Sequence, residues 1–183
     1  MARNIEIKAR VQDPAGTEAR AAALATSGPT RLVQDDTFFH CAQGRLKLRE
    51  FADGSAELIA YQRPDQAGPK TSTYVRTPVA DAAGLRAALV AACGLLGRVQ
   101  KRRTLYLAGR TRIHLDQVAG LGDFLELEVV LADGEAEPDG IAEAQRLMAD
   151  LGVAPEALEE GAYLDLLAAR ERAGAGARAG RAG

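Results

Sequence analysis

Charged residues recur at every second position in several stretches of this chain, and their sign changes from stretch to stretch. Asn4, Glu6, Lys8 and Arg10 alternate with Ile5, Ile7, Ala9 and Val11. Arg45, Lys47 and Arg49 alternate with Leu46 and Leu48, and Lys101 and Arg103 form a shorter basic pair. Arg112, His114 and Asp116 stand opposite Ile113 and Leu115, while Glu126 and Glu128 stand opposite Leu125, Leu127 and Val129. In a strand, residues two apart point the same way, so each stretch predicts one polar and one apolar face. Any single stretch reads equally well as the solvated side of a half-buried sheet. The set does not, because a surface built for solubility intersperses the two signs. Sorted strands predict a cavity with an anion cradle beside a carboxylate cluster. Arg and Lys would compensate phosphate oxygens, Arg bidentately. Clustered carboxylates would supply hard oxygen ligands, which favour Mg2+ or Mn2+ over zinc. A polyphosphate with a divalent metal suits that cavity, and like charges crowded together without it predict a loosened tunnel that ligand would stabilise.

The elements that must hold these faces follow from periodicity and punctuation. Strands are expected at 3–12, 31–41, 44–51, 56–63, 70–77, 98–107, 110–117 and 124–131. Asp13 followed by Pro14 opens an Ala-rich helix expected to stop at Gly28. A second helix is expected from Asp81 to Leu96, ended by Gly97. A third, amphipathic one spans Pro138 to Gly152, and a last helical region covers 155–171. Residues 1–172 read as one domain, with the Gly, Ala and Arg tail at 173–183 expected to be disordered. Eight strands arranged mainly as hairpins predict an α+β fold in which an antiparallel barrel is packed by helices, not a doubly wound sheet.

Composition narrows the partners. The 183 residues carry a formal net charge of -2, which argues against a nucleic-acid binder and makes each basic stretch a local arrangement. Two cysteines, Cys41 and Cys93, lack a CxxC spacing, so neither a disulfide framework nor structural zinc is expected and a cytoplasmic setting is. The first residues carry charges where a signal peptide needs an apolar core, and the Ala19–Ala25 stretch is too short to span a membrane. No P-loop, HExxH or GxSxG pattern occurs. Of the two histidines, His114 reads as a structural hydrogen-bonder or a catalyst alike. A monomer or a homodimer is expected.

Asn4-Ile5-Glu6-Ile7-Lys8 resembles the ExExK signature of the CYTH, or triphosphate tunnel metalloenzyme, superfamily. The resemblance continues in family order through Gly44–Arg49, Lys101-Arg102-Arg103 and Phe124–Glu128 to Tyr163–Leu167, which looks like the C-terminal motif of the class IV adenylyl cyclase branch. It implies an eight-stranded antiparallel tunnel. It also implies Mg2+ or Mn2+ on Glu6, Glu126 and Glu128, with Asp116 a further metal ligand or proton acceptor. Lys8, Lys47, Arg49, Lys101, Arg103 and Arg112 would grip the triphosphate, Arg10, Arg45 and Arg63 would add to them, and Lys8 and Asp116 would take part in catalysis. The implied activity is conversion of ATP to cyclic AMP and pyrophosphate, or hydrolysis of a triphosphate. Two departures stand out: Asn4 replaces the first Glu, and Gln62 stands where the family carries a tunnel Lys. Both favour the remaining reading, a non-catalytic polyphosphate- or nucleotide-binding module.

Overall fold

Eight stretches of period-two alternation become eight strands, and hairpin pairing curls them until the first meets the last. The computed structural model describes residues 1–179. In chain order the elements are β1 (Ala2–Arg10), α1 (Pro14–Leu24), β2 (Ser27–Phe39), β3 (Arg45–Phe51), β4 (Ala56–Gln62), β5 (Lys70–Pro78), α2 (Ala82–Cys93), β6 (Leu95–Ala108), β7 (Thr111–Val118), β8 (Gly122–Val130), α3 (Glu137–Asp150), a single 3-10 turn (Pro155–Ala157) and α4 (Tyr163–Ala179). The strands close in the order β1-β5-β4-β3-β2-β6-β7-β8, and every neighbouring pair is antiparallel. The α+β barrel expected from the alternation is the fold observed.

The helix caps act as the sequence predicts at their starts and differ at their ends. The Gly16 amide donates to Asp13 Oδ1 (3.0 Å) and the Gly84 amide to Asp81 Oδ1 (2.9 Å), satisfying amides that have no partner inside the helix. α1 stops at Leu24 rather than Gly28, because the Thr26 amide bonds Leu107 O (2.6 Å) and draws the chain into the β2–β6 ladder. α2 stops at Gly94, not Gly97: Gly94 takes φ 81°, a left-handed conformation that glycine adopts at least cost. Leu95 and Leu96 therefore begin β6. The tail expected to be disordered from Ala173 instead continues α4 through Ala179. Residues 180–183 lie outside the described residues. No helix among the described residues is long and apolar enough to cross a membrane.

The main hydrophobic core lies outside the barrel wall. Ile5, Ile7, Ile113, Leu125 and Leu127 point away from the bore and pack with Ala21 of α1, Ala144 and Leu147 of α3, and Leu151 just after it. Each such side chain contributes about 1.5–3 kcal/mol by leaving water. α3 approaches very closely at Gly140, where an added Cβ would stand 2.5 Å from Leu131 and 2.8 Å from Ile5. A second cluster of Phe38, Val99, Val118, Phe124 and Tyr163 closes one end of the bore with the start of α4. The charged faces turn into the bore, with apolar residues such as Leu32, Phe51 and Leu105 among them.

Candidate functional site

Alternate residues of all eight strands face a bore that encloses about 220 Å3. One water takes up about 30 Å3 of liquid, so this space holds a ligand larger than a hydrated ion. Eight cationic side chains line it, Lys8, Lys47, Arg49, Arg63, Arg76, Lys101, Arg103 and Arg112, against the carboxylates of Glu6, Asp36, Glu57, Glu126 and Glu128. With His114 neutral the lining carries three surplus positive charges, and an anion is the natural occupant.

The opposite signs touch. Glu126 lies across β1–β8 from Lys8 (3.3 Å) and also meets Arg103 (2.6 Å). Glu128 faces Arg112 across β7–β8 (3.2 Å), and Glu6 meets Arg63 (3.2 Å). The single-signed strands β3, β6 and β8 are not neighbours of one another; cations of the mixed strands β1 and β7 stand beside β8, so the like-charge crowding expected of an empty tunnel is relieved by cross-strand pairs, Glu6 opposite Glu128 excepted. Burial pushes Glu126 up, but the Lys8, Lys101 and Arg103 charges hold it well below the usual carboxylate range. Glu6 is raised, chiefly by burial and by the Glu128 charge. Burial brings the Lys8 ammonium down to about 8; burial and then the neighbouring Arg49 bring Lys47 down to about 8. These ammonium groups release their protons far more readily than exposed lysines.

Three of the groups can hold a cation. One ligand atom each from His114, Glu126 and Glu128 lies within 4.8 Å of the others. His114 Nδ1 is buried without a hydrogen-bond partner, 3.6 Å from Glu128 Oε1 and 4.0 Å from Glu126 Oε2. Burial, reinforced by the Arg103 charge, lowers the imidazole pKa against the opposing pull of Glu128 and Glu126. Asn4 Oδ1, on the same strand face as Glu6, is likewise buried and unpartnered. An unsatisfied nitrogen beside two carboxylates fits a divalent metal. Among the residues expected to ligate one, Glu126 and Glu128 lie in this group, Glu6 lies beside it paired with Arg63, and Asp116 does not belong to it.

Asp116 is the main departure from the sequence reading. It is fully buried and accepts from Arg103 Nε and a terminal Arg103 nitrogen (2.6 and 2.5 Å), Lys101 Nζ (3.2 Å) and the Tyr163 hydroxyl (3.0 Å). Burial opposes its charge, yet Arg103 and Lys101 keep it well below the usual range. Both oxygens are engaged by cations of the cradle and by Tyr163. Asp36, on β2, engages the other basic pair in the same way, accepting from Arg49 (2.7 and 2.7 Å) and Lys47 (2.9 Å). Arg10 and Arg45 do not line the bore: Arg10 pairs with Glu159 and lies over the Phe124 ring, while Arg45 meets Asp65 and Asp165. Gln62 is exposed, and Arg63 turns inward in its place, its side chain 4% exposed. Strand parity carries that signal, since Tyr61 also faces the bore and Gln62 lies between them.

Tyr163 is a lining residue that alternation could not reveal, because it belongs to α4. Its ring lies under the ammonium groups of Lys8 (4.0 Å) and Lys101 (5.0 Å), a cation–π arrangement at the closed end. Lys8 Nζ also donates to Gly161 O (2.9 Å), tying the cradle to the segment that closes it.

A closed antiparallel tunnel with a charged bore, plugged by its C-terminal helix, defines the class. The CYTH domain family model matches residues 2–163, and the chain belongs to that family. It is 26% identical over 174 residues to the adenylate cyclase CyaB of Aeromonas hydrophila, an alignment covering 88% of this chain and 87% of that protein. In structure it resembles the PH1012 protein of Pyrococcus horikoshii OT3, with TM-score 0.80 and 22% identity over 90% of this chain and 99% of that one. It also resembles HpAC1 of Hippeastrum, an adenylyl cyclase candidate with a dominant triphosphatase activity, with TM-score 0.63 and 17% identity over 91% and 95% of the two chains. These two likenesses show the shared fold.

Proposed function

We propose that the protein is a metal-dependent enzyme acting on a triphosphate bound in the tunnel, and that its reaction is of the class IV adenylyl cyclase type. The observation that supports it most is the pair of buried basic walls flanking β2, Lys47 and Arg49 on β3 and Lys101 and Arg103 on β6, beside the His114, Glu126 and Glu128 group. The walls would bind the phosphate oxygens and spread the charge that develops on them. As phosphate draws Lys8 and Arg103 away, Glu126 would be freed for a cation held with Glu128 and His114. The nitrogen ligand favours Mn2+ over Mg2+. When bound, that ion would neutralise phosphate charge and polarise the phosphorus under attack. In the cyclase reaction the ribose 3′-oxygen bonds to the α-phosphorus and loses its proton, and the bond to the pyrophosphate leaving group breaks.

Hydrolysis of the same triphosphate is the second reading, and the likeness to the Hippeastrum protein supports it. Phosphorus NMR of ATP and tripolyphosphate incubated with the protein and Mn2+ or Mg2+ separates the two: cyclic AMP with pyrophosphate marks the cyclase, orthophosphate the hydrolase. Binding without product would leave a sensor and refute both. Glu126→Gln is expected to lower turnover more than about 100-fold, beyond what loss of a residue merely supporting a metal ligand costs. Full activity in that variant would remove the metal assignment.

A further inference from the structure

Three strands change character in the same direction along the bore. On β2, Phe38 packs against Tyr163 at the closed end, followed at alternate positions by Asp36, Gln34 and Leu32. On β6 the order from the same end is Val99, Lys101, Arg103 and Leu105, and on β3 it is Lys47, Arg49 and Phe51. Alternate residues are about 6.6 Å apart along a strand, so beyond its charged residues each strand turns apolar, at Phe51, Leu32 and Leu105, which the register offsets by two residues from one strand to the next. An inorganic chain of phosphates has no use for these apolar side chains.

Two unsatisfied acceptors sit at the boundary. Gln34 is 3% exposed, lines the bore and stands across from Lys101 on β6 and Phe51 on β3; its Oε1 has no hydrogen-bond partner. Glu57 Oε2, across β3–β4 from Arg49, is also buried without a hydrogen bond, its nearest cation being Arg76 at 3.8 Å. A buried acceptor left empty costs about 1–3 kcal/mol, and a phosphate oxygen, itself an acceptor, cannot satisfy it. An N–H or O–H donor can.

We propose that Leu32, Phe51 and Leu105, with Gln34 as the reading residue and Glu57 beside it, form a head-group pocket for a planar, amino-bearing base on the outer end of the triphosphate. This rests on the triphosphate reading above and adds to it the residues that choose the ligand. Phe51 and the two leucines cover the faces of the base, and Gln34 Oε1 accepts from its amino group. Glu57 is placed to accept from a sugar hydroxyl or a second amino hydrogen.

Calorimetric titration of the full-length protein tests this with three probes in the presence of Mg2+: ATP, purine riboside triphosphate, which lacks only the amino group, and tripolyphosphate. The parent is expected to bind ATP about fivefold to tenfold more tightly than the purine analogue, the range of one hydrogen bond. In Gln34→Leu that preference disappears while tripolyphosphate affinity stays within about twofold. In Phe51→Ala both nucleotides weaken and tripolyphosphate again does not. Equal binding of all three probes by the parent, or a preference for ATP that survives in Gln34→Leu, overturns the head-group pocket and leaves the triphosphate cradle standing. No binding of any probe overturns both. If Gln34→Leu does not fold, the ATP-to-analogue ratio of the parent and the Phe51→Ala titrations still decide the case.

Discussion

Replacing Asp116 by Asn separates a cradle-holding role from a metal-binding one. The carboxylate neutralises two buried cations and accepts four hydrogen bonds from three residues, with its side chain and that of Arg103 0% and 5% exposed. Removing one member of a buried charge pair costs about 3–5 kcal/mol. Asn keeps one oxygen and Arg103 keeps its contact with Glu126, which places this variant near the lower end, about 3 kcal/mol. For a chain of this length each kcal/mol moves Tm by about 2–4 °C, so a fall of about 6–12 °C is expected by differential scanning calorimetry. The uncompensated Lys101 and Arg103 should then favour anions: tripolyphosphate should bind the variant at least as tightly as the parent. At 100 times its Kd it returns about 2.7 kcal/mol, most of what was lost. Mn2+ binding, read separately by calorimetric titration, is expected to persist. A variant that melts within about 2 °C of the parent but no longer binds Mn2+ would refute this account and return Asp116 to the metal.

Two further tests address the cradle's charge and the outer packing. Lys47 has a pKa of about 8 in the folded chain, where it faces Asp36, Arg49 and Lys101, against about 10.4 when unfolded; between these values the unfolded chain holds the extra proton, so this group's contribution to stability rises with pH while its charge is lost. Tripolyphosphate affinity is expected to fall about tenfold or more from pH 7 to 9.5, the value of one charge-assisted contact, with proton uptake on binding at pH 9 seen as buffer-dependent heat; a flat profile would contradict it. Gly140→Ala should cost about 1–3 kcal/mol by overpacking α3 on Ile5 and Leu131 while leaving tripolyphosphate affinity unchanged, and an unaffected denaturation midpoint would contradict the close approach.

The barrel was legible because alternation reports directly which face a residue takes, and in β1, β7 and β8 the charged and apolar sets separate over the bore-lining stretch. Alternation does not report depth or partner. Asp116 and Glu126 look alike in sequence, each on an inward face, but the β6–β7 register sets Asp116 opposite Arg103 while Glu126 lies opposite His114 and Lys8. Arg10 and Arg45 share inward parity with true lining residues, yet each is captured at the closed end by carboxylates of segments far away in the chain. Asp36 gave little signal, because the expected strand at 31–41 does not alternate polar and apolar residues and sets Asp35 beside it. Tyr163 needed the docking of α4, a tertiary event. The ends of α1 and α2 were displaced for a related reason: strand pairing of Thr26 and the conformation of Gly94 outweighed the glycines further on.

With its packed core on the outside and its chemistry within, each strand serves two masters at alternate residues. Adding a single residue inside β1 or β8 would exchange their clients, sending Glu6, Glu126 and Glu128 into the oil and Ile5, Leu125 and Leu127 into the bore. The chain should therefore accept length changes almost only at its turns, such as Asp53–Ser55, where glycine and short polar residues carry no such double duty. In the bore, by contrast, side chains can be exchanged without disturbing the oil that holds the wall upright, so new ligands are reachable by substitution far more readily than by insertion.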